Sequence, residues 1–233
     1  MLRPATMPTT RSTRVLKETV MLREHDPERD IVRYSLADRV AHWWVSLTFI
    51  YLLLSGLALG YPRMAWLYQI LGGGQTVRFL HPWVGVAFTL GIFYMLFAWV
   101  RDMTFDPVDR EWARSLGTYS KEGHVDLDVG RYNAGQKGYY WFAVLTGVLL
   151  LLTGIPIWIP SLLSSGWNQA ARIIHHVLFL LTVGGFIIHV YMSTAMFPGT
   201  IRGMTTGRVE RRWAAFHHPR WFRDRDARGT RLG

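Results

Sequence analysis

Four apolar stretches, at residues 41–59, 82–100, 138–159 and 173–197, interrupt a chain that is otherwise polar and basic. Each is close to the roughly 20 residues that cross a hydrocarbon core as a helix. Four such helices are too many for a soluble chain of this size to bury. The pattern therefore predicts an all-α integral membrane four-helix bundle. Helix 1 is expected to begin near Asp38-Arg39 and to leave the membrane at Tyr61-Pro62. Helix 2 is expected to open at His81-Pro82, where proline suits a first turn. Helix 3 should end at Ile159-Pro160, and helix 4 should start after Arg172.

The polar remainder divides into three regions. Residues 1–30 lack useful periodicity and form a flexible polar extension; residues 31–200 form the membrane domain; residues 201–233 form a basic tail. The stretch before helix 1 has no hydrophobic core of a cleavable signal, so helix 1 is expected to act as an uncleaved anchor. A long loop of mixed charge, about 101–137, joins helices 2 and 3. In the tail, residues 208–222 interleave basic side chains with Trp213, Phe216, Trp221 and Phe222. That segment reads either as lying on an anionic leaflet or as a solvated tail.

The formal charge of +10 changes the picture only through its distribution. Basic residues crowd the first 40 positions, the middle loop and the tail, whereas the other two loops hold Arg63, Arg78 and Arg172. Four helices place both termini and the middle loop on one side, and the positive-inside rule makes that side cytoplasmic. The protein is thus expected in the bacterial inner membrane, with lipid and no nucleic acid as its partner. The chain has no cysteine, which excludes disulfides, covalent haem attachment and cysteine-ligated iron–sulfur clusters on this subunit.

Histidine is costly within a bilayer, so its placement carries the chemistry. His175 and His189 are fourteen residues apart. At about 100° per residue they leave one face of helix 4, and at about 1.5 Å per residue they stand roughly 21 Å apart. His42 shares the cytoplasmic depth of His189, and His81 shares the outer depth of His175. A lone intramembrane histidine can simply hydrogen-bond between helices, but two pairs at two depths suggest two stacked sites. The apolar helices offer no cysteine or carboxylate to complete a zinc, di-iron or hard-cation site. Two neutral imidazoles from different helices suit the axial positions of a haem iron, which predicts two b-type haems used for electron transfer. Gly56, Gly85, Gly91, Gly147, Gly154, Gly184 and Gly185 are candidates for making room for porphyrin, although glycine also serves close helix packing. His176 points about 140° away from the His189 face and reads as a packing or interface residue. His25, His124, His217 and His218 lie outside the membrane and are expected to be solvated.

A short internal repeat accompanies the pairs. Leu54-Ser55-Gly56 with Pro62 matches Leu152-Thr153-Gly154 with Pro160, and each precedes a histidine, His81 or His175. The match records either a duplicated hairpin or a shared way of ending a membrane helix, with the second favoured because the match is short.

Several longer motifs are more specific: Ala41-His42-Trp43, Leu54-Ser55-Gly56, Leu80-His81-Pro82, Tyr132-Asn133-Ala134-Gly135-Gln136-Lys137, Ile188-His189-Val190-Tyr191-Met192 and His217-His218-Pro219-Arg220-Trp221. Over about residues 31–225 the chain resembles the cytochrome b (gamma) subunit of respiratory membrane-bound formate dehydrogenases. It departs from that family in its long N-terminal extension and at His176, where a small residue is expected. The resemblance implies that His81 and His175 bind an outer haem and His42 and His189 an inner one. It further implies a formate-oxidising alpha subunit, an iron–sulfur beta subunit, and a quinone site that includes Asn133, Gly135, Gln136 and His189. Asn133 also has the position of a helix N-cap. His124, Asp126 and Asp128 are candidates for proton relay, against the plainer reading of a solvated loop. The rivals are the cytochrome b subunit of a nickel–iron hydrogenase or thiosulfate reductase, and a haem-free membrane anchor.

Overall fold

The computed structural model describes residues 30–115, 127–197 and 199–229. The expected N-terminal extension through residue 29, with His25, and the loop residues His124 and Asp126 lie outside them. The described chain runs β1 (Asp30–Val32), α1 (Leu36–Gly60), α2 (Leu67–Ile70), α3 (Gly74–Trp99), α4 (Pro107–Arg114), α5 (Ala134–Trp158), α6 (Ser165–Tyr191), α7 (Arg202–Thr205), β2 (Arg208–Glu210), α8 (Arg211–His217) and α9 (Pro219–Gly229). Helices α1, α3 and α5, and α6 extended by a π-helical turn to Met196, are long and apolar enough to cross a membrane. Helix α1 packs against α3, α3 against α5, and α5 against α6.

These four helices are apolar almost all round, and most of their surface stays outside the bundle. Leu47, Leu90, Phe97, Leu145 and Ile188 all face outward, as expected of side chains whose solvent is lipid or a partner helix. The interior is thin and aromatic. Phe49 meets Phe186 and Phe88 with ring centroids 5.0 and 6.2 Å apart, between the two ends of the bundle.

Two helices begin earlier than the apolar stretches suggest. Helix α3 starts at Gly74, so His81 lies about two turns inside it and Pro82 is an interior proline. Gly72 and Gly73, with φ of +86° and +97°, make the left-handed turn that allows this early start. Helix α6 starts at Ser165, which puts His175 nearly three turns in. In both cases a polar interfacial segment continues the helix beyond its membrane core, a boundary that hydropathy does not mark.

The end carrying both termini is folded rather than loose. Strands β1 and β2 pair antiparallel, with Ile31 opposite Val209, which fixes both ends of the described chain on one side of the bundle. Ile31, Val209 and Ala214 form a small core with Trp213, Trp221 and Phe222 around it. His218 is 1% exposed, so the expectation that it is solvated is corrected. Its Nδ1 donates to the Gly130 carbonyl (2.8 Å), and its Nε2 lies 3.3 Å from Arg33 Nη2. Arg33 is itself buried. Its guanidinium donates to the Arg131 carbonyl and sits 5.0–5.6 Å from the ring centroids of Tyr34, Tyr132, Trp213 and Trp221.

Candidate functional site: two histidine layers

At the termini end, His42 from the second turn of α1 faces His189 from the last turn of α6. Their ring centroids are 6.2 Å apart with planes inclined by 46°. A metal held about 2 Å from a nitrogen of each ring needs centroids roughly 6 Å apart. His42 Nδ1 is buried without a hydrogen-bond partner among the described residues. Tyr139 on α5 stacks on His189 at 4.5 Å and 5°, and the Trp43 ring meets His42 edge-on at 5.5 Å. Sequence reasoning missed Tyr139. Its only signal was its place two residues after Lys137, nearly two turns above the Asn133 cap.

The other layer lies deeper towards the opposite end. His81 Nδ1 is 2.7 Å from Ser55 Oγ, and His175 Nδ1 is 3.0 Å from Thr153 Oγ1. Next to each hydroxyl is a glycine. A Cβ on Gly56 would come 3.7 Å from His81 Cε1, and one on Gly154 would come 3.4 Å from His175 Cε1. The repeated Leu-Ser-Gly and Leu-Thr-Gly segments therefore face the two histidines of this layer from equivalent helices. Of the other candidate glycines, Gly91, Gly147 and Gly185 are crowded by Trp44, Phe88 and Phe142 and serve packing, whereas a Cβ on Gly85 would meet only Leu52, at 4.0 Å, and one on Gly184 nothing within 4 Å. The uninterrupted helix from Ser165 to Tyr191 makes the roughly 21 Å between His175 and His189 a structural distance.

His176 belongs to neither layer. Its Nδ1 donates to the Arg172 carbonyl at 2.7 Å, and its Nε2 lies near Gly60. Among the described residues no three of His, Asp and Glu converge on a metal-binding point, so paired imidazoles are the available donor sets.

Beside the termini-end layer, Asn133 caps α5. Its Oδ1 accepts from Gln136 N–H at 2.9 Å, while Gln136 Oε1 accepts from Asn133 N–H at 3.1 Å. Both side-chain carbonyls are occupied, and both NH2 groups remain as donors. A Cβ on Gly135 would lie 2.9 Å from Trp112 Cη2, so this glycine also seats the indole of α4. Lys137 forms a buried ion pair with Asp109 at 2.7 Å and reaches Asp106 at 3.8 Å. Burial works against ionisation of Asp106, but the Arg220 hydrogen bond and the charges of Lys137 and Arg220 win and lower its pKa. Asp128 pairs with exposed Arg223 at 2.6 Å, a solvated bridge rather than a contact with Asn133.

Four apolar helices with paired histidines at two depths are the architecture of a membrane cytochrome b. Residues 33–207 match the model of prokaryotic cytochrome b561, and the chain belongs to that family. Membership implies b-type haem. The chain is 36% identical over 198 residues to the nitrate-inducible formate dehydrogenase cytochrome b556(Fdn) subunit of Escherichia coli K12, covering 83% of this chain and 91% of that protein. It is 35% identical over 197 residues to the formate dehydrogenase cytochrome b556(fdo) subunit of the same organism, covering 83% and 92%. It is 33% identical over 199 residues to the formate dehydrogenase cytochrome b556 subunit of Haemophilus influenzae, covering 83% of each.

Proposed function

We propose that this chain is the quinone-reducing cytochrome b subunit of a formate dehydrogenase, carrying electrons across the bacterial inner membrane through two b-type haems. The observation that carries the reading is the second histidine layer. One layer serves a single redox centre, but two layers roughly 21 Å apart on one helix span most of a hydrocarbon core about 30 Å thick. His81 and His175 hold the outer haem, and His42 and His189 hold the inner one. The 6.2 Å separation of the His42 and His189 rings and the glycine cradles at Gly56 and Gly154 fit such groups. When bound, each haem would supply a one-electron carrier, and holding it by two imidazoles would suit it to transfer rather than to oxygen chemistry.

Both termini and the 101–133 connection face the cytoplasm, in line with their basic composition. The opposite face receives electrons from an iron–sulfur beta subunit, itself fed by a formate-oxidising alpha subunit. Quinone binds at the cytoplasmic end, beside His189. The Asn133 Nδ2 and Gln136 Nε2 groups, left free by the capping box, donate to the quinone oxygens, and Gly135 seats the Trp112 indole as a wall of the same site. Moving two electrons fully inward stores roughly 5 kcal/mol per 100 mV of membrane potential.

Asn133→Ala tests the quinone site. It removes a cap worth about 1 kcal/mol and a donor to the quinone. In membranes of the assembled complex, formate-dependent quinone reduction should slow while both haems stay bound and reducible. Unchanged turnover, or loss of haem, counts against this placement.

A further inference from the structure

The geometry points to Ser55 and Thr153 as positioning residues that fix the tautomer of His81 and His175 and hold the reduction potential of the outer haem below the value it would otherwise have. This rests on the assignment of those two histidines as haem ligands.

A hydroxyl has a single proton and two lone pairs. Ser55 Oγ lies 3.2 Å from the Leu52 carbonyl and 2.7 Å from His81 Nδ1. A carbonyl can only accept, and a His81 ring that ligates through Nε2 carries its proton on Nδ1; the Ser55 hydroxyl then accepts from Nδ1 and gives its own proton to Leu52. Thr153 repeats the arrangement. Its Oγ1 lies 2.7 Å from the Leu149 carbonyl and 3.2 Å from that of Leu150, and 3.0 Å from His175 Nδ1.

Both rings therefore carry hydrogen on Nδ1 and present the Nε2 lone pair, the nitrogen free to ligate. A histidine whose Nδ1–H is given to an acceptor is a more basic ligand and has a fixed ring orientation. A more basic ligand favours the ferric over the ferrous state and so lowers the potential. Position matters as well. Ser55 is fully buried, so its hydroxyl is shielded from exchange with solvent partners. In the other layer, His42 Nδ1 has no such partner among the described residues. The repeated Ser-Gly and Thr-Gly pairs thus have a shared chemical purpose beyond ending a helix: each provides a hydroxyl for a ring nitrogen and a gap beside the ring.

The test is an optical redox titration of the purified haem-loaded complex carrying Ser55→Ala or the near-isosteric Thr153→Val, with Ser55→Thr and Thr153→Ser as conservative partners. A His175→Ala protein identifies which of the two transitions belongs to the outer haem. At a fixed electrode potential, the ferrous-to-ferric ratio of that haem should rise roughly two- to tenfold in Ser55→Ala. The rise should be smaller in Thr153→Val, because the Thr153–His175 contact, at 3.0 Å, is longer than the 2.7 Å contact of Ser55 with His81. The inner transition and both conservative variants should stay near the parent. Loss of the outer haem from Ser55→Ala with retention in Ser55→Thr would also credit the hydroxyl. Loss from both overturns the inference, and so does an unmoved potential in hydroxyl-free variants that keep two haems, which would leave the haem assignment standing. A parent protein without haem would instead overturn the assignment itself.

Discussion

The buried Lys137–Asp109 pair is the sharpest point at which to perturb the termini end. The two side chains are 5% and 7% exposed and 2.7 Å apart. Truncating either one leaves the other charge in a poorly solvated position, which typically costs about 3–5 kcal/mol. For Asp109→Ala the loss should fall near the lower end of that range. Lys137 still has Asp106 at 3.8 Å, but Asp106 is already engaged by Arg220 and so compensates only in part. Asp109 also completes the capping box of α4 by accepting from Asp106 N–H, a contact that disappears with the carboxylate. Lys137→Ala should cost a similar amount, since the Asp109 carboxylate keeps that backbone donor but loses its counter-charge. The double variant Asp109→Ala/Lys137→Ala removes both charges together and should cost clearly less than the sum of the two single losses. Equilibrium unfolding in mixed detergent micelles gives all four corners of the cycle. Single losses below about 1 kcal/mol, the behaviour of a solvated pair, would refute the burial argument. Strict additivity in the double variant would refute the direct coupling. The pair also pins α4 so that Trp112 lies over Gly135, so Asp109→Ala should slow quinone reduction even where the protein remains folded.

The folded cap at the same end should be acid-sensitive. Burial, and then the Arg33 charge, push His218 well below the ordinary histidine value of 6.5, and the same two causes push His217 down to about 4. Both are held neutral in the folded state, so the unfolded state binds more protons below that ordinary value. Stability is full above about pH 6.5 and falls progressively as pH drops, down to about 4 for His217; His218→Gln should flatten part of this loss when proteolysis of the cap is followed against pH. In the other layer, Gly154→Leu would drive a side chain into the space where a Cβ already lies 3.4 Å from His175, and should remove one haem absorbance while sparing the other; retention of both would show that Gly154 is only a packing residue.

The membrane helices were legible because lipid demands apolar side chains on every face, a signal that does not depend on knowing the neighbours. The histidine layers were legible for a related reason: a helix is a ruler, and the spacing of His175 and His189 fixes their faces and depths without tertiary information. Helix starts were less visible. Residues 74–81 and 165–172 carry Arg78, Gln75, Asn168 and Arg172, yet remain helical where the chain emerges from the bilayer core. The termini-side cap was not visible at all. It depends on Ile31 meeting Val209, and on His218 meeting Gly130 and Arg33, pairings between distant parts of the chain. The Leu-Ser-Gly and Leu-Thr-Gly repeat stood in plain sight, but its relation to His81 and His175 appears only when α1 lies against α3 and α5 against α6.

The central claim, two haems held by two histidine layers, is tested most directly by a reduced-minus-oxidised visible spectrum of the purified complex with b-type haem counted per chain. The account predicts two haems in the parent, one in His175→Ala with the inner transition retained, and one or none in His189→Ala. A complex purified with its partners that carries no haem, or whose haem content is indifferent to both substitutions, would contradict it.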